Sequence, residues 1–176
     1  MNSAQESGRS SIRSEETKKI LETYDSLGTD EKLALLYYIY KKMGDSITPA
    51  APTAANPEMA PQLLGEFYQL SDEQQLSAMR EIVNREDTQL SRSYGGLTEN
   101  NQLVVWYAWA LGMGDTIVDM PPGYEASQSI NKALSQIESL DFEGQISTLR
   151  EIAGNMGYSD VQPIPTQAET GKTASL

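Results

Sequence analysis

The sequence predicts an all-α protein, and three observations lead there. Apolar residues recur at the roughly 3.6-residue spacing of helices through most of the chain, with no stretch of sustained apolar–polar alternation. The segment NNQLVVWYAWALGMG, from Asn100 to Gly114, carries no charge over 15 residues, the pattern of a helix set in the centre of a fold. Features also recur at one constant offset of 70 residues, which implies two similar helical halves.

The elements follow in order. Residues 1–14 are polar and Ser-rich, a mobile arm. A short helix is expected around Glu15 to Tyr24. The next begins after Thr29, with Asp30 and Glu31 in its first turn, where the helix dipole favours acids. Leu33, Leu36, Tyr37, Tyr40 and Met43 form its apolar face, and Gly44 is placed to end it. A Pro/Ala-rich loop, ITPAAPTAANP, leads to Asn56 as cap and Pro57 in the first turn of a third helix. That helix carries Leu63, Leu64, Phe67 and Leu70. Ser71 and Gln74 form the ends of a capping box, followed by Leu76, Met79, Ile82 and Val83. A polar stretch precedes the uncharged helix. A second Pro-containing loop leads to a helix with Ile130, Leu134 and Ile137. The last helix carries Phe142, Ile146, Leu149, Ile152 and Met156, with Gly157 as its stop. The folded unit is set at 15–157, and 158–176, rich in Pro, Thr, Ser and Gln, is a flexible tail.

The repeat is specific. GDSI at Gly44 to Ile47 returns as GDTI at Gly114 to Ile117, and Met43, Tyr37 and Leu33 match Met113, Tyr107 and Leu103. Glu73, Gln75, Ser77, Arg80, Glu81 and Ile82 match Glu143, Gln145, Ser147, Arg150, Glu151 and Ile152. Resemblance among helices in general does not explain one register held across helices and loops, so a duplication is inferred. A cleft between two such halves suits a long, nearly symmetric ligand.

Composition narrows the chemistry. The 176 residues hold 13 Lys plus Arg against 25 Asp plus Glu, a net charge of −12, which argues against a nucleic-acid or anionic-membrane partner. There is no Cys and no His, which removes disulfides, thiol or Ser-His catalysis, and Cys/His metal sites. No run of about 18 apolar residues is long enough to cross a membrane. The N-terminus shows no signal-peptide pattern, so the cytosol is the expected compartment. The acid pairs Asp72–Glu73 and Glu86–Asp87 read as solvated helix-end or loop charges, and no phosphate-cradling or calcium loop is present. An enzyme is not expected.

The aromatic residues are more informative. Tyr outnumber Phe nine to two. A core chosen for burial alone favours Phe and Leu, because buried Tyr and Trp need partners for their polar atoms. Trp106, Ala110 and Met113 form a stripe with Leu103 and Tyr107 beside it, and Met adapts to flat, polarizable surfaces. Ordinary core packing explains these stripes; so does a tunnel for an elongated apolar ligand.

LGTDEKLALLYYIYKKMG, ITPAAPTAA, NREDTQLSRSYGG, NNQLVVWYAWALGMG, PPGYEAS and ISTLREIAGNMGY together resemble the N-terminal domain of orange carotenoid protein, from about Thr29 to Tyr158. Free-standing members of that family are the helical carotenoid proteins, and the chain is similar to these. The resemblance implies two interleaved four-helix halves holding one ketocarotenoid, of the canthaxanthin, echinenone or 3'-hydroxyechinenone type, for photoprotection. It places pigment contacts at Leu33, Leu36, Tyr37, Tyr40, Met79, Leu103, Trp106, Tyr107, Ala110, Met113, Met120, Ile146 and Arg150, and adds the loop positions Pro49 and Thr53. Tyr37 stands where family members commonly have Trp, and Leu97 replaces another aromatic residue, which implies looser ring stacking. The family's second domain is absent, so no built-in photoswitch is expected. Two alternatives are a quencher that docks on the phycobilisome through Arg150, at the cytoplasmic face of thylakoids, and a carrier exchanging carotenoid with a separate protein like the missing domain. A monomer is expected.

Overall fold

The computed structural model describes residues 15–47 and 59–159. Eight helices run through them. They are α1 (15–25), α2 (Thr29–Ile47), α3 (Met59–Tyr68), α4 (Asp72–Val83), α5 (Gln89–Gly95), α6 (Glu99–Gly112), α7 (Gln128–Glu138) and α8 (Phe142–Gly154). Among the described residues the extended backbone amounts to one isolated bridge, Met113 to Ile117. The fold is all-α, as the periodicity requires.

Side-chain capping sets most helix starts. Ser71 Oγ accepts from the Gln74 amide at 3.2 Å while Gln74 Oε1 accepts from the Ser71 amide at 3.0 Å, the expected capping box. Thr88, Thr98, Ser127 and Asp141 cap α5 to α8 in the same way. Thr88 starts a helix in the segment read as a polar stretch. That stretch hides α5 because only seven residues are helical and only one large side chain, Tyr94, is fully buried, with Leu90 partly buried against the core.

Four sequence expectations change. Gly44 does not end α2, which continues to Ile47; Gly tolerates helical dihedrals at a cost of about 1 kcal/mol. Its counterpart Gly114 does leave the helix, at φ 84°. Leu70 lies past the end of α3, and Phe142 begins α8 on its outer side, 49% exposed. Helix α6 is not buried all round, since Leu111 is 68% exposed. The Pro/Ala loop, including Pro49, Thr53, Asn56 and Pro57, lies outside the described residues.

Helices α2 and α6 form the centre. α2 packs against α4, α6, α7 and α8, while α6 packs against α2, α3 and α8. Each central helix therefore touches helices from both parts of the chain. Ile39, Leu35, Val105, Ile130 and Ile137 are fully buried there, and truncating such a side chain to Ala costs about 2–5 kcal/mol. Hydrogen bonds recur 70 positions apart. Gln75 Nε2 donates to Phe67 O at 3.3 Å and Gln145 Nε2 to Ile137 O at 3.2 Å. Arg80 Nε bonds Asp30 at 2.9 Å, and Arg150 Nε bonds Asn100 at 3.1 Å.

The segment after α8 is held against α5. The Gly157 amide donates to Ile82 O at 2.8 Å and the Tyr158 amide to Ser91 O at 3.0 Å. The Tyr158 carbonyl crosses so near Gly95 that a Cβ there would lie 2.1 Å from it. Gly157 sits at φ 79°, and a Cβ on it would lie 2.6 Å from the Tyr94 ring. Gly157→Ala is therefore expected to lose about 2–4 kcal/mol, from left-handed strain and overlap together, measured by urea unfolding.

A second contact joins α2 to α7. Ser127 Oγ–H donates to Glu31 Oε2 at 2.6 Å, and the Gly28 amide donates to Glu31 Oε1 at 3.2 Å. These bonds, the serine's first, hold the Glu31 carboxyl below its usual range. Because the folded pKa is lowered, the contribution is complete above the ordinary carboxylate pKa, about 4.3, and is lost as pH falls through the folded value. Ser127→Ala removes both this donor and the α7 cap. It should cost about 1 kcal/mol at pH 7 and flatten the stability decline below pH ~4.5, as read by thermal melts across pH.

Candidate functional site

Between α2, α4, α6 and the loop after α6 lies a cavity of about 160 Å³. A dry apolar cavity of about 150 Å³ holds one benzene ring, so this space fits one six-membered ring. Leu33, Leu36 and Tyr37 line it from α2, Met79 from α4, Trp106 and Ala110 from α6, and Met113 and Met120 from the following loop. All eight are residues expected from the sequence.

Five other expected residues, Tyr40, Leu103, Tyr107, Ile146 and Arg150, do not line this cavity. Tyr40 Oη–H donates to Leu103 O at 3.3 Å, and the Tyr40 and Tyr107 rings meet edge-on with centroids 5.8 Å apart. Ile146 packs against the core, and Arg150 reaches Asn100. Leu103, Tyr107, Ile146 and Arg150 stand 70 positions after Leu33, Tyr37, Leu76 and Arg80, all of which line the cavity. The remaining expected residues, Pro49 and Thr53, lie outside the described residues.

Several lining residues were not expected. Leu76 and Arg80 were within reach, because the offset takes Ile146 and Arg150 back to them. Trp109 had a weaker signal, one turn beyond Trp106 on the uncharged helix. It is 1% exposed, stacks on Phe67 at 4.3 Å and meets Trp106 edge-on at 4.9 Å. Val118, Asp119, Pro121 and Tyr124 come from the loop, where no periodicity marks them.

Buried Gln75 fixes that loop wall. Its Nε2 donates to Phe67 O and to Thr116 O at 3.1 Å, while its Oε1 accepts from the Val118 amide at 2.8 Å. Gly112 completes the turn, because a Cβ there would lie 2.6 Å from Thr116 Oγ1.

The polar atoms of the aromatic wall mostly find partners in the protein. Trp106 Nε1–H donates to Tyr94 Oη at 2.8 Å, and Tyr94 Oη–H donates to Ala153 O at 2.7 Å. Burial raises the pKa of both Tyr40 and Tyr94 above the usual phenol value, so both are neutral at any physiological pH. Charges stand at the rim. Arg80 and Asp30 pair there at 2.9 and 3.1 Å, with side chains 45% and 62% exposed. Among the described residues no cluster of three His, Cys, Asp or Glu gathers, and no helix is long and apolar enough to cross a membrane.

Fold and cavity define an all-helical domain with an aromatic-lined, largely apolar cavity beside its central helices. A family model described as orange carotenoid protein, N-terminal, matches residues 10–159. The chain is 39% identical over 135 residues to an orange carotenoid-binding domain-containing protein of Nostoc sp. (strain PCC 7120), covering 76% of this chain and 79% of that one. It is 34% identical over 137 residues to the orange carotenoid-binding protein of Synechocystis sp., covering 77% of this chain and 43% of that protein. The chain thus spans less than half the length of that relative. The Anabaena (Nostoc) sp. red carotenoid protein binding canthaxanthin superposes with TM-score 0.72 at 36% identity, over 81% of this chain and 99% of that one. The orange carotenoid protein of the same organism, binding canthaxanthin, superposes with TM-score 0.73 at 28% identity, over 82% and 47%. The chain belongs to the family of orange carotenoid protein N-terminal domains.

Gln75→Leu leaves Phe67 O, Thr116 O and the Val118 amide without their shared partner. A loss of about 2–4 kcal/mol is expected. Hydrogen exchange should show the Val118 amide losing protection before α6 does.

Proposed function

We propose that this domain holds one ketocarotenoid non-covalently and serves photoprotection by absorbing light, quenching singlet oxygen and dissipating the energy as heat. The observation that carries the reading is the cavity. It has ring-sized volume, Trp, Tyr and Met walls, and the Trp106 indole N–H bonded back into the protein. Relatives of the same fold bind canthaxanthin or a mixture of carotenoids, which supports a pigment of the canthaxanthin, echinenone or 3'-hydroxyechinenone type. Such a pigment, when bound, supplies a low-lying triplet state that accepts energy from singlet oxygen. The chain's own part is to keep the pigment apart from others, fix its geometry and exclude water. Burying about 500 Å² of ligand at about 25 cal/mol/Å² provides on the order of 12 kcal/mol before association costs, so no polar anchor is needed. We place no catalytic step in it.

A second reading rests on Arg150. Its counterpart Arg80 is neutralised by Asp30, whereas Arg150 bonds the neutral amide of Asn100. That leaves a cation on an acidic protein for docking to the phycobilisome, at the cytoplasmic face of thylakoids. Antenna fluorescence with added pigmented protein, wild type against Arg150→Glu, decides this. Quenching that Arg150→Glu abolishes supports docking. Quenching by neither, with pigment passing to another carotenoid-binding protein, supports a carrier.

Protein made in a ketocarotenoid-producing host should purify coloured and monomer-sized; colourless protein from several such hosts contradicts the reading. Trp106→Ala and Tyr40→Ala should lower pigment occupancy or shift the band with helicity kept. Leu64→Ala, away from the cavity, should lower the melting temperature while leaving the colour.

A further inference from the structure

We infer that Tyr94 is a positioning residue that sets the orientation of the Trp106 indole at the cavity wall. Tyr94 is fully buried, and three helices meet at its phenol oxygen: it sits on α5, accepts from Trp106 on α6 and donates to Ala153 on α8. Its backbone is fixed as well. Gln102 Nε2 donates to Tyr94 O at 3.1 Å, and the segment carrying Gly157 and Tyr158 presses on α5. The phenol is therefore a rigid acceptor.

Comparison with the other half separates this role from packing. Seventy positions earlier stand Tyr24 and Leu36 in place of Tyr94 and Trp106. Tyr24 is also buried, yet its hydroxyl has no hydrogen-bond partner among the described residues. A buried phenol at this place in the fold thus does not need the bond. What the second half adds is an indole that faces the cavity and has a donor to satisfy. The torsion that turns an indole about its own stem is broad. Without an acceptor at 2.8 Å the indole has no single preferred setting, and its face is no longer held against the cavity.

The test has two arms. Its optical arm rests on the carotenoid reading; its other arm does not. The chain has two tryptophans, so nitrogen-labelled pigment-free protein gives two indole N–H signals, assigned with Trp109→Phe. The Trp106 signal should be protected from exchange. Tyr94→Phe should reduce that protection by about ten-fold or more and leave Trp109 unchanged, while Tyr24→Phe alters neither. In pigmented protein Tyr94→Phe should shift the absorption band, and the shift should vanish in a Trp106→Phe background. Unchanged Trp106 protection in Tyr94→Phe overturns the inference, as does a band shift that persists without Trp106. If the wild type is colourless, the pigment reading fails and the indole arm still decides. If Tyr94→Phe does not fold, uniform fluorotyrosine labelling weakens the acceptor without removing it. The Trp106 signal must then move and the Trp109 signal stay; a stationary Trp106 signal overturns the inference.

Discussion

A buried indole or phenol must find a partner for its polar atom or carry a desolvation cost of about 1–3 kcal/mol. This protein puts that constraint at its centre. Trp106, Tyr94 and the carbonyl of Ala153 form one chain of hydrogen bonds across α6, α5 and α8. Tyr40 closes a similar bond to Leu103 across α2 and α6. Because these polar atoms are used inside the protein, the aromatic side chains beside the cavity act as apolar walls. The same bonds pin the long central helices where their apolar stripes face each other. Trp109 and Tyr24 depart from the rule, their polar atoms being buried without a hydrogen-bond partner among the described residues. Stacking on Phe67 and edge contact with Trp106 offset part of that cost for Trp109.

The rest of the fold supports those walls. α5 has only seven residues, too few to be stable alone. The strap from Met156 to Tyr158 holds it in place, and two glycines allow the close approach. On the opposite side Gln75 does for the cavity loop what a strand pairing would do in a sheet, since one amide group satisfies three backbone groups. The Gln75 amide is polar, buried and bonded through both its nitrogen and its oxygen, which makes it specific as well as stabilising.

Charge enters the site only at its exposed edge, where Asp30, Arg80 and Asp119 line the cavity. A chain of net charge −12 keeps its carboxylates at helix starts and on the surface, where Asp30, Glu31 and Asp141 complement helix N-termini. The Arg80–Asp30 pair at the rim is water-exposed and worth about 0–1 kcal/mol. Its role is better described as geometry, two charges that mark where the cavity meets solvent.

Much of this was legible in the sequence. The helical periodicity marks most of the helices, Ser71 and Gln74 mark the capping box, and eight of the fifteen expected site residues line the cavity. The 70-residue offset also leads from Ile146 and Arg150 to Leu76 and Arg80, two cavity residues outside the expected set. Other features had no local signal. The seven-residue α5 buries one large side chain, too little for a periodicity to emerge. The loop residues Val118, Asp119 and Tyr124 reach the cavity from a loop that Gln75, far away in sequence, fastens at Thr116 and Val118. The outward positions of Phe142 and Leu111 follow from which neighbours α8 and α6 acquire. Sequence by itself determined the fold class, the central uncharged helix and the aromatic stripes, because helix formation and amphipathic patterning are local. Tertiary structure alone decided which indole is bonded and where the cavity closes, because both depend on donors and acceptors brought together from distant parts of the chain.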